Sequence, residues 1–228
     1  MKKTFLIVFA VLMSIGATFF VYNHVFERYN YNEGASYYQK QEYPKAVEYF
    51  SKAIDINDEN ADTYCYRGLS YSRQKQFNEA ILDFSAAIKL DPSFIDPYIH
   101  RGVAYLAQND FENAISDFSS AIKLKPSDAM LFSHRAFAYF KQNNFEKALE
   151  DCASAIKIDP NDYTAFFLRG RIYNEQNKLE EAIEAFSTSI KFKYDHVDSY
   201  IARGLIYEKL GNIEAAKEDF MMANKHKK

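Results

Sequence analysis

The chain has 228 residues, of which 48% are apolar, 17% aromatic and 26% charged, and its formal net charge is -3. That is ample apolar surface for a continuous core and excludes a disordered chain. The interspersed signs exclude a single-sign field for nucleic acid, and two cysteines do not make a disulfide framework.

Met1-Lys2-Lys3 precedes an uncharged stretch, residues 5–22, broken only by Ser14, Gly16 and Thr18. As a helix this stretch would run about 27 Å, close to a hydrocarbon thickness of about 30 Å. Residues 1–25 are therefore expected to be an N-terminal transmembrane anchor or a signal sequence. The only small-x-small cleavage candidate lies near Ser14-Ile15-Gly16-Ala17, with bulky Phe19 and Phe20 directly behind it, which favours an uncleaved anchor. The leading lysines place the N-terminus in the cytoplasm and the rest of a single-pass chain on the periplasmic or extracellular side. A cleaved segment would instead give a secreted protein. Tyr22, Tyr29 and Tyr31 suit an interfacial belt, and Tyr31 equally suits a groove.

From Glu27 onward the sequence repeats every 34 residues: 27–60, 61–94, 95–128, 129–162, 163–196 and 197–228. Counted within each repeat, position 11 is Tyr37, Tyr71, Tyr105, Tyr139, Tyr173 and Tyr207, and position 20 is always alanine. Position 8 is Gly34, Gly68, Gly102, Ala136, Gly170 and Gly204; position 24 is phenylalanine except for Cys152; position 27 is alanine except for Ser189. Apolar residues at 4, 7/8 and 11, then at 17, 20, 21, 24, 27 and 28, follow the spacing of one helix face. Breakers such as Asn109-Asp110 and Gly211-Asn212 divide the two runs. Each repeat is thus a helix, a turn and a second helix. A glycine at 8 facing the alanine at 20 is expected to let the helices approach, and Pro92, Pro126 and Pro160 at position 32 to end the second helix.

This pattern resembles the tetratricopeptide repeat in period and in its Gly–Tyr…Ala…Phe…Pro positions, across residues 27–228. The resemblance implies an all-α, right-handed α-solenoid of six helix-turn-helix repeats, here preceded by one N-terminal apolar helix. It also implies a concave groove lined by the first helix of each repeat. On this chain the matching stripe is positions 2, 5, 9 and 12, which gives Ile99, Val103 and Leu106 in the third repeat and Phe137 and Phe140 in the fourth. Phe167, Arg171 and Asn174 follow in the fifth. Ile99, Val103 and Leu205 serve equally well as packing between first helices. The Lys/Asn/Arg set with which family members hold acidic chaperone tails is absent, so the mostly apolar groove suits a hydrophobic peptide or an amphipathic helix.

Position 7 is arginine in Arg67, Arg101, Arg135, Arg169 and Arg203, and position 23 is aspartate in Asp83, Asp117, Asp151 and Asp219. Ion pairs between the two helices are expected in the four repeats that carry both. The first repeat lacks both, and the fifth has Ala185. The fifth also departs at Ser189 and Tyr194, which predicts an altered junction with the sixth. Asn224 and His226, where other repeats are apolar, make the sixth repeat look like a polar cap.

No nucleophile–base–orienter set, phosphate-cradling glycine loop or metal-ligand spacing occurs, so neither an enzyme nor a cofactor is expected. His100 and His134 share a register and look like equivalent surface positions. Cys65 and Cys152 lie two repeats apart, out of disulfide reach. The sequence therefore predicts a membrane-tethered scaffold that binds a protein or peptide partner, with membrane contact through residues 5–22. It predicts no nucleic acid or small-molecule substrate. An exported, signal-cleaved interaction protein and a self-associating assembly component are the alternatives.

Overall fold

The computed structural model describes residues 23–227. Among them, all regular structure is helical, and no strand occurs. Helix α1 is described over residues 23–39. It is followed by α2 (Tyr43–Ile56), α3 (Ala61–Arg73), α4 (Phe77–Leu90), α5 (Ile95–Ala107) and α6 (Phe111–Leu124). Then come α7 (Ala129–Lys141), α8 (Phe145–Ile158), α9 (Tyr163–Glu175), α10 (Leu179–Phe192), α11 (Val197–Lys209) and α12 (Ile213–His226). The chain divides into two compact units, up to Gln108 and from Asn109, and within each unit successive helices pack on their neighbours in series.

Residues 5–22, expected to form an apolar anchor, lie outside the described residues. Among those described, no helix is long and apolar enough to cross a membrane. This finding overturns the single-pass localisation expected from the sequence. Of the proposed interfacial tyrosines, Tyr22 is outside the described residues. Tyr31 faces inward instead, edge-on to Phe50 at 5.8 Å and to Tyr66 at 5.9 Å. Burial pushes its hydroxyl up to about 12.

The small residue at position 8 has a different partner from the one expected. A Cβ built on Gly68 would meet the Phe84 ring at 2.8 Å, and on Gly170 the Phe186 ring at 2.7 Å. Gly34 and Phe50 repeat the contact at 2.8 Å, and Gly204 and Phe220 at 2.9 Å. Position 8 therefore meets the aromatic at 24, not the alanine at 20. The fourth repeat supports this account: Ala136 brings a Cβ, and there position 24 is the smaller Cys152. Both residues are fully buried in one cluster with Ala148 and Ile172.

Arginine at position 7 ties together three helices. Arg135 donates Nε and Nη2 to the two carboxylate oxygens of Asp151, each at 2.8 Å, joining α7 to α8. Its Nη1 donates to Ser119 Oγ on α6 at 3.0 Å. Arg67 does the same with Asp83 and Ser51, and Arg203 with Asp219 and Ser187. The aspartates are almost wholly buried. For Arg135 and Arg203, the hydrogen bonds donated to the aspartate outweigh burial and raise the guanidinium pKa. The two-point geometry fixes the angle between helices as well as their spacing.

Rings at position 6 carry the stacking from one repeat to the next. Tyr66 lies on Phe50 at 5.9 Å, His100 on Phe84 at 5.8 Å and His134 on Phe118 at 5.3 Å. The two histidines are thus partly buried spacers, not equivalent surface groups, and burial lowers the His134 pKa.

At the junction after α10, the serine at position 27 founds a buried hydroxyl chain. Ser189 Oγ donates to the Tyr163 carbonyl at 2.9 Å, and Ser199 Oγ donates to Ser189 Oγ at 2.9 Å. His196 Nδ1 lies 2.6 Å from Ser199 Oγ. Because that hydroxyl hydrogen is already committed, Nδ1 is the donor. The His226 ring then stacks near Tyr200 at 6.3 Å and edge-on to Tyr194 at 5.6 Å.

Every turn inside a repeat places position 15 in the left-handed region: Gln41, Lys75, Asn109, Asn143, Asn177 and Gly211 have φ between 55° and 79°. Asn and Gly tolerate this conformation; Lys and Gln do so at a cost. The second helices end alike even without proline. The backbone N–H of Asn57 and of Lys193 bonds to the position-27 carbonyl just as that of Asp91 does.

Three stability measurements check this packing. Lys75→Gly should raise stability by about 0.5–1 kcal/mol in urea unfolding, the left-handed strain relieved less the added chain entropy. Gly68→Ala should cost about 1–3 kcal/mol by overpacking. Combined with Phe84→Cys, it should cost less than the sum of the single changes. Arg135→Met should cost about 2–4 kcal/mol by stranding Asp151, and Arg135→Met/Asp151→Leu should recover most of it.

Candidate functional site

On α9, Phe167 and Arg171 stand one turn apart. The Phe167 ring packs against Phe186 at 5.7 Å and edge-on to His196 at 4.9 Å, which fixes its orientation. The Arg171 guanidinium lies 4.6 Å over the Phe140 ring and 6.0 Å from the Phe167 ring. The two rings hold the cation without neutralising it. Among the described residues it has no ion pair.

Across from them on α11, Leu205 is 54% exposed. Together with Ile206, Ala202, Asn174 and Lys209, these side chains line a cleft of ≈ 430 Å³ with Phe186 at its base. Lys209 is oriented by Asn177, to whose Oδ1 its Nζ donates at 2.8 Å. The cleft joins an apolar wall to two cations, with Glu175 the one acidic residue lining it. Its volume suits one or two side chains of an extended segment or a helix face, not a large cofactor.

Of the residues expected to line the groove, Phe167, Arg171 and Asn174 meet in this cleft. Phe140 does not line it: it is 7% exposed and belongs to the core cluster with Ala136, Leu168 and Ile172. Its contribution is to seat Arg171. Phe137 is half-buried against the same cluster, with Lys141 Nζ 5.6 Å from its ring. Val103 is 42% exposed in the other unit. There it lines a smaller cleft of ≈ 270 Å³ with Leu69, Arg73 and His100. Ile99 and Leu106 are half-buried and do not line that cleft. Sequence reasoning left Leu205 undecided and missed Lys209. Lys209 is position 13 of the sixth repeat, one turn after Leu205, and the 2, 5, 9, 12 stripe passes it by for Glu208.

Cys65 and Cys152 are free and buried, and burial pushes both thiols up to about 12, far from a reactive thiolate. Among the described residues, no group of His, Cys, Asp and Glu is placed to hold a metal ion.

Residues 28–177 match the family model of the ETO1 C-terminal domain, and residues 170–211 match that of a TPR repeat. No curated protein matches the chain. Among solved structures, it is similar to YrrB, described as a TPR protein with an unusual peptide-binding site. That likeness has 25% identity and a TM-score of 0.60, covering 80% of this chain and 94% of that one. A tetratricopeptide repeat protein from Parabacteroides merdae is 16% identical with a TM-score of 0.78, covering 89% and 80%. PilF of Pseudomonas aeruginosa is 13% identical with a TM-score of 0.73, covering 89% and 92%. The last two show likeness of fold alone. With its paired helices and these matches, the chain belongs to the ETO1 C-terminal domain family and is a tetratricopeptide-repeat protein.

Proposed function

We propose that the protein is a non-enzymatic interaction scaffold that holds a short segment of a partner polypeptide in the cleft between α9 and α11. The observation that carries this reading is the juxtaposition of Phe167, Leu205 and Ile206 with an unneutralised Arg171. An apolar wall beside a ring-held guanidinium accepts a large apolar side chain next to a carboxylate or a backbone carbonyl. Asn174 and Lys209 supply further donors at the rim. The rigidity of the wall supports the reading as well. Phe167 is braced by Phe186 and His196, so little side-chain entropy is lost when a ligand docks. The described peptide-binding site of YrrB is a further support by analogy.

Peptides selected on the full chain from a random library test the proposal. They should carry an aromatic or long aliphatic residue beside an acidic one. Leu205→Asp or Arg171→Glu should weaken them at least ~10-fold, about 1.4 kcal/mol each, with the melting temperature nearly unchanged because Leu205 is exposed. Undiminished binding to both variants would remove the cleft from the account.

A further inference from the structure

Arg169 occupies position 7 of the fifth repeat, where Arg67, Arg135 and Arg203 each hold a carboxylate sixteen residues ahead and a serine hydroxyl sixteen residues behind. For Arg169, those two places are Ala185 and Ala153, and neither side chain has a polar atom. The guanidinium rests on the Phe166 ring, 4.8 Å from its centroid. Its Nε is shut off from solvent and has no hydrogen-bond partner. Phe166 and Ala185 are themselves buried, so one side of the group is backed by apolar surface. Ala153, in the place of the serine, is exposed, so the other side is open to solvent. Among the described residues, Arg169 has no ion pair, and the Asp151 carboxylate of the preceding repeat is taken by Arg135.

We infer that Arg169 is an open receptor for one carboxylate from outside the chain, which enters past the exposed Ala153 and reaches the guanidinium edge that Asp83, Asp151 and Asp219 hold at the equivalent positions. The difference between aspartate and Ala185 is one carboxylate group, which sets the size of what the slot takes. The guanidinium presents a planar fork, so a carboxylate with two oxygens fits it and a spherical halide does not. Residues 167 and 171 each lie two positions away, about 200° around α9 from Arg169. The site is therefore separate from the cleft of the proposed function, and either can fail without the other. Its carboxylate comes from an acidic side chain of a bound polypeptide or from a small free acid.

The test is titration of the full chain with formate at constant ionic strength against chloride, following the Arg169 Nε–H resonance. The expected result is a saturating shift in the wild type, with a rise in melting temperature of about 2–4 °C. Ala185→Asp, which supplies the carboxylate internally, should show neither response and should melt higher than the wild type without formate. Arg169→Lys keeps the charge, loses the fork and should lose the rise in melting temperature. A capped tripeptide with one glutamate that acts at lower concentration than formate assigns the site to a partner's side chain. A peptide weaker than formate assigns it to a small free acid. A wild type without a saturable shift, or an Ala185→Asp protein that responds as the wild type does, would overturn the inference.

Discussion

The contact between the bare backbone at position 8 and the ring at position 24 sets the distance between the helices of a pair. Nothing larger than hydrogen fits at Gly68 while Phe84 lies at 2.8 Å from where a Cβ would stand. Once that distance is set, the position-7 guanidinium is close enough to reach an aspartate on its own second helix and a serine on the helix before. A two-point ion pair in a nearly dry place adds little net stability, because desolvation offsets most of its attraction. What it adds is register: a guanidinium fork accepts its carboxylate in one orientation, so the three helices it joins have few other ways to pack. In the second, third and fourth repeats, a ring at position 6 packed on the phenylalanine of the previous repeat then carries the arrangement forward.

Departures from this plan gather around α9. The fifth repeat has lost the aspartate at position 23, follows a repeat without the serine at position 25, and has Ser189 and Tyr194 where alanine and proline recur. The same helix carries Phe167 and Arg171. A chain whose local choices otherwise agree is expected to break its own rules where something other than packing is served. The buried hydroxyl chain from His196 to Tyr163 shows that part of the deviation is compensated internally. The unpaired Nε of Arg169 shows that part of it is not.

The periodicity of the sequence was enough to read the helix pairs, because thirty-four-residue self-similarity leaves few other folds. The arginine–aspartate pairs were legible too, since both partners recur within one repeat. The serine that completes each clamp was not: it belongs to the preceding repeat, and comparison within a repeat does not expose it. The left-handed turn residue was hidden because Gln41, Lys75, Asn109 and Gly211 share a conformation and no chemistry. Gly68 suggested close approach but not toward what; only the swap of Ala136 with Cys152 hinted that positions 8 and 24 trade volume. In the site, the stripe rule found Phe167, Arg171 and Asn174. It also picked Phe140, whose burial depends on how far α9 overlies α7, a tertiary fact no single-helix rule contains.

Methyl resonances of the full chain, followed as a selected peptide is added, test the central claim most directly. The account predicts shifts concentrated at Leu205 and Ile206, with exposed methyl groups elsewhere, such as Leu82, unmoved. Shifts centred away from α9 and α11, with Leu205 and Ile206 silent while the peptide saturates the protein, would contradict it.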